Sequence, residues 1–121
     1  MELWLLASIA VILAWGLWGF ALKYASLNLE WYHVYVASAF GAILVYTTFT
    51  LAMIASGRLP LGVNSKSLAV AVLGGFLGAL GGLLLALALR LGEASIIVPL
   101  TSVYPAVTAL LSALLLGEDI T

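Results

Sequence analysis

Cysteine is absent from the 121 residues, which excludes disulfides, thiolate metal sites and thiol redox chemistry together. Charge is almost as scarce: four Lys and Arg, five Asp and Glu and a single His leave a net charge of -1. That balance offers no basic surface to a nucleic acid, and no such partner is expected. No metal-ligand spacing, nucleophile and base pair or paired intramembrane carboxylate occurs, so the chain is not expected to be an enzyme or to hold a metal or cofactor. Runs that alternate apolar and polar residues, the mark of barrel strands, are missing as well.

What fills the chain instead is hydrocarbon. Hydrophobic residues make up 65% of it and charged ones 7%, with a mean hydropathy of +1.27. A water-soluble domain of this length cannot bury that much. Lipid is therefore the expected solvent, and with no water there to satisfy stray backbone groups the spans must be helices. Four runs reach the ~20 residues that a hydrocarbon core requires, over 3–24, 32–55, 67–89 and 94–116. The expected fold is an all-α membrane protein of one domain over 1–121, in the plasma (inner) membrane. Because Glu2 stands where a signal peptide is basic, and the first run outlasts the usual h-region, the first helix is expected to remain in the mature protein.

The links hold turn residues: Ser26 and Asn28, then Gly57, Pro60, Gly62 and Asn64, then Gly92. Trp4, Tyr24, Trp31 and Tyr32 lie near span ends, where aromatic rings favour the headgroup layer. Flanking charge ties at two against two, Arg58 and Lys66 on one side and Lys23 and Arg90 on the other. Lys23 breaks the tie toward a cytoplasmic amino terminus if it snorkels or faces a cavity.

Three groups of residues are candidates for function. In the third span Gly74, Gly78 and Gly82 recur every four residues, a stripe that permits close helix packing. In the fourth, Pro99 and Pro105 each remove a backbone donor, so the helix is expected to bend or unwind between them. Thr101, Ser102, Tyr104 and Thr108 surround that point and can serve freed carbonyls or a solute, since irregular backbone at this depth survives only within protein or beside a cavity. The first span carries Trp15, Trp18 and Lys23 around Gly16 and Gly19, a side that offers two aromatic surfaces and an ammonium. The alternative for Trp18 and Lys23 is a lipid-facing ring and a snorkelling amine. All five acids fall at ends or links, so proton antiport through a buried carboxylate is not expected from these residues.

Three segments carry a family resemblance: AWGLWGFALK in the first span, the glycine-rich third span running into ALALRLGEAS, and IIVPLTSVYPAVTALLSALLLGEDIT. With them the chain resembles the EamA domain of the drug/metabolite transporter superfamily along nearly its whole length. The resemblance implies repeats of five helices in inverted pairs around a cavity that opens alternately to each side, carrying small metabolites, amino acids or drugs. Family-like pathway positions are Trp15, Lys23, Pro99, Thr101, Tyr104 and Pro105. The family's repeat continues past Leu-Gly-Glu into a fifth helix, and the sequence ends at Thr121 short of one, so the chain reads as an incomplete repeat. The small multidrug resistance relatives also have four helices, but these correspond to the first, third, fourth and fifth of the family. Their first helix also carries a glutamate eight residues before a lysine, where this chain has Trp15 before Lys23.

The expected function is transport of a small organic solute across the bilayer by alternating access. Four helices enclose little space, so a homodimer or a paired half is expected to complete the cavity. The competing expectation is an accessory membrane protein that packs against a partner and transports nothing.

Overall fold

The computed structural model describes residues 2–59 and 62–119. Each apolar run becomes a helix: α1 spans Leu3–Ser26, α2 Trp31–Ala55 and α3 Ser65–Leu91, while the fourth run divides into α4, Ala94–Thr101, and α5, Tyr104–Leu116. The first three exceed the lengths read from hydropathy by one to four residues, because polar end residues such as Ser26, Ser65 and Arg90 continue the helical hydrogen bonding that hydropathy does not register. Four spans are long and apolar enough to cross a membrane, the fourth being Ala94–Leu116 taken across its interruption.

Local chemistry sets the ends. Asn64 caps α3, its side-chain oxygen accepting from Lys66 N at 2.9 Å and Ser67 N at 3.2 Å. Gly57 adopts φ +70 just past α2, which lets Arg58 N reach back to Met53 O at 3.0 Å in the six-to-one bond of a Schellman turn. Pro60, in the same link, lies outside the described residues.

Because the spans alternate in direction, the end of α1, the start of α2, the end of α3 and the start of α4 gather at one side of the bundle. The connections there are short, Leu27–Glu30 and Gly92–Glu93. A Cβ on Gly92 would meet Ile97 Cδ1 at 3.0 Å, so a larger residue there would displace that methyl by a few tenths of an ångström. The buried core lies at this side too: Leu22, Val34 and Leu89, with Ala25, Leu85, Ala94 and Ile97 packed around them. Leu89 is fully enclosed.

Elsewhere the bundle is open. Neither α4 nor α5 contains a buried residue. The accessible surface is 9865 Å², against about 6,200 Å² for a compact soluble chain of this mass. The excess is apolar helix surface, which only lipid or other protein covers favourably.

Candidate functional site

The closed side is built around Lys23. Its side chain is half-buried, and its ammonium donates to Leu89 O at 3.0 Å and Gly92 O at 3.1 Å. The last turn of a helix has carbonyls without intrahelical donors and carries the negative end of its dipole. A cation there satisfies both, a contribution of about 0.3–1 kcal/mol. Lys23 thus ties the end of α1 to the end of α3 across 66 residues of sequence. Ser26 Oγ donates to Lys23 O at 2.6 Å and steadies the same turn. At the rim Arg90 approaches Glu30 at 3.7 Å. Both side chains are nearly half exposed, so this pair adds well under about 1 kcal/mol. Tyr24, Trp31 and Tyr32 ring the same end, with Trp31 edge-on to Tyr32 at 5.8 Å and Phe20 against Tyr24 at 6.3 Å.

Farther into the bundle Tyr35 crosses from α2 to α3, its hydroxyl donating to Ala79 O at 2.7 Å. A Cβ on Gly82 would stand 3.6 Å from the Tyr35 ring, whereas nothing lies within 4 Å of one on Gly74 or Gly78. The glycine stripe therefore meets a neighbour at one end and presents the rest of its length outward.

The interruption between α4 and α5 falls at Ser102 and Val103, between the two prolines. Around it Thr101 Oγ1 donates to Ile97 O at 2.9 Å and Val98 O at 3.1 Å, and Ser102 Oγ donates to Val98 O at 2.7 Å. Hydroxyl bonds of this kind, back to the preceding turn, bend helices. Val103 N reaches Leu100 O at 3.4 Å and Ala106 N reaches Val103 O at 2.9 Å, the tighter spacing of a 3₁₀ turn. Pro105 has no N–H to return to the Thr101 carbonyl. Facing the interruption across the bundle is Trp15, whose ring centroid lies 6.5 Å from that of Tyr104 at an interplanar angle of 49°. Among the described residues this is the one aromatic pair that joins two spans. Both rings remain more than half exposed.

The sequence candidates thus divide. Trp15, Tyr104, Thr101, Ser102, Pro99 and Pro105 gather about one helix break. Lys23, eight residues from Trp15 or ~12 Å along the axis, belongs to the closed end. Trp18, partly exposed, stacks on none of the other described rings. Tyr35 was not singled out by sequence reasoning; the signal available was a tyrosine about one turn inside its span with a glycine stripe in the next. Two shallow depressions lie on single outer faces, one along Leu44, Thr48 and Phe49 and the other along Thr108, Leu111 and Ser112. Neither is a chamber between helices.

The sequence profile of the EamA-like transporter family matches residues 2–121. The chain belongs to that family. It is accordingly an integral membrane protein of the drug/metabolite transporter type. Uncharacterized protein MJ1333.1 of Methanocaldococcus jannaschii is similar at 47% identity over 58 residues, which is 48% of this chain and 42% of that protein. The match thus takes in less than half the length of that relative. No solved structure matches the EamA-like chain.

Proposed function

We propose that this EamA-like protein moves a small organic metabolite or drug across the plasma (inner) membrane by alternating access, with a homodimer or a paired half supplying the rest of the cavity. The observation that carries the reading is the interruption at Ser102 and Val103, nine residues into a 23-residue span and opposite Trp15. A helix that only anchors or packs gains nothing from two prolines and three hydroxyls near mid-depth. A helix that must flex beside a solute does. The open apolar faces of α4 and α5, in which no described residue is buried, support the need for a second half.

In this reading the end tied by Lys23 is one gate, shut in the conformation described, and the break is the point about which α4 and α5 change their angle. An inverted partner contributes the opposite gate. Opening the shut gate separates Lys23 from the carbonyls of Leu89 and Gly92, a loss small enough for solute binding to offset.

Flux of a broad metabolite panel into proteoliposomes tests this directly. Saturable uptake of at least one solute, reduced by Tyr104→Ala in protein that stays folded, is the expected result. Folded protein in both orientations that moves no member of the panel would establish the accessory role instead.

A further inference from the structure

Two side-chain ties hold α3 to its neighbours, and they differ in what can replace them. Lys23 donates to Leu89 O and Gly92 O at the end of the helix, beside the rings of Tyr24, Trp31 and Tyr32. Water and headgroups reach that level, so once the closed end opens they serve both the ammonium and the two carbonyls. Tyr35 instead donates to Ala79 O at 2.7 Å, near the middle of α3 and ~18 Å short of Leu91 along the axis. Its hydroxyl sits at the far side of a rigid ring, clear of its own backbone. It cannot fold back onto the preceding turn as Ser38 does, donating to Tyr35 O at 2.8 Å. In lipid at that depth a hydroxyl that leaves Ala79 is left unpaired, a large penalty. The Ala79 carbonyl itself keeps the Leu83 N–H of the helix, so the tie is one that the hydroxyl needs and α3 does not.

The surroundings fit a contact that persists. Gly78, Ala79, Gly81 and Gly82 leave the backbone of α3 thinly covered there, and a Cβ on Gly82 would stand 3.6 Å from the Tyr35 ring. The link from α1 to α2 has slack to give. Leu27–Glu30 is drawn into a turn by Asn28 N to Ala25 O at 3.3 Å and Leu29 N to Ala25 O at 3.1 Å, and pulled straight it spans ~13 Å. We propose, resting on the transport reading above, that Tyr35 is a positioning residue: it keeps α3 with α2, so that when the closed end opens the two helices part from α1 as one body. Only the Lys23 tie breaks. The start of α4 follows α3 through Gly92–Glu93, and the interruption at Ser102 and Val103 takes up the change of angle while Trp15 and Tyr104 keep α5 beside α1.

The test uses the full chain in lipid nanodiscs and needs no solute. With no cysteine in the sequence, spin labels attach only where one is introduced. Leu91→Cys on α3 is paired with Val36→Cys on α2 or with Leu17→Cys on α1, all at exposed positions, and distances are read by pulsed electron paramagnetic resonance. Lys23→Met is expected to lengthen the α1 to α3 distance by several ångströms and to leave the α2 to α3 distribution as narrow as before. Adding Tyr35→Phe, which keeps the ring and removes only the hydroxyl, should broaden the α2 to α3 distribution. Lys23→Ala repeats the comparison if Lys23→Met does not fold. An α2 to α3 distance that lengthens along with the α1 to α3 distance, a distribution that Tyr35→Phe leaves narrow, or no change in either pair overturns the proposal. The expected distances in a protein that moves no member of the metabolite panel would remove the transport reading and leave the joint motion of α2 and α3 standing.

Discussion

The two halves of this molecule are built on different physics. At the closed end, four helix termini meet over Leu22, Val34 and Leu89, and an ammonium bridges α1 to the end of α3. Beyond the start of α4, whose Ala94 and Ile97 pack on that core, no described side chain of α4 or α5 is buried, and a tilted ring pair joins α5 to α1. One region spends its residues on internal satisfaction, the other leaves its rings more than half exposed. The contrast shows where a single unit is complete and where it depends on something outside itself.

Substitutions can break that contrast in order of size. Leu89→Ala opens a cavity at the most enclosed of the described large side chains and is expected to cost about 2–4 kcal/mol. Leu115→Ala on the outer face, where the side chain is 77% exposed, should leave the thermal midpoint in detergent nearly unchanged. Equal losses would mean that the closed end is not the core. Tyr104→Ala is expected to lower solute flux about tenfold, a loss of roughly 1.4 kcal/mol, while the thermal midpoint stays within about a degree. A fall in stability that matches the fall in flux would assign Tyr104 to packing.

Lys23→Met keeps the stem and removes the donors to Leu89 and Gly92. It should cost about 1 kcal/mol in unfolding measurements and bias the closed end toward opening. Glu30→Gln, at an exposed pair 3.7 Å long, should change stability by under about 0.5 kcal/mol. An effect of Glu30→Gln larger than that of Lys23→Met would move the weight of the closure to the rim.

Much of the fold was legible because lipid imposes one pattern: long apolar runs become helices, and their number and approximate limits follow from length alone. The interruption of the fourth span was legible too, since Pro99 and Pro105 delete N–H groups wherever the helix happens to pack. Contacts across the sequence were not. Nothing local to Lys23 specifies that its partners are Leu89 and Gly92 rather than headgroups or a solute, because α1 and α3 meet only through the folded path of α2. The same holds for Tyr35 and Ala79. The glycine stripe could be read as a surface for close approach, yet the surface that covers Gly74 and Gly78 is not encoded by period within one helix.

The central claim is that the Lys23 end is a gate and not a permanent seal. Ser26, 3% exposed beside Lys23, is the natural reporter in a chain without cysteine. In proteoliposomes, Ser26→Cys should react slowly with an impermeant maleimide. The rate should rise several-fold when a transported solute is present or when Lys23→Met is added. Protection that neither the solute nor Lys23→Met changes, while Asn28→Cys on the same turn labels freely, would show a static plug and contradict the account.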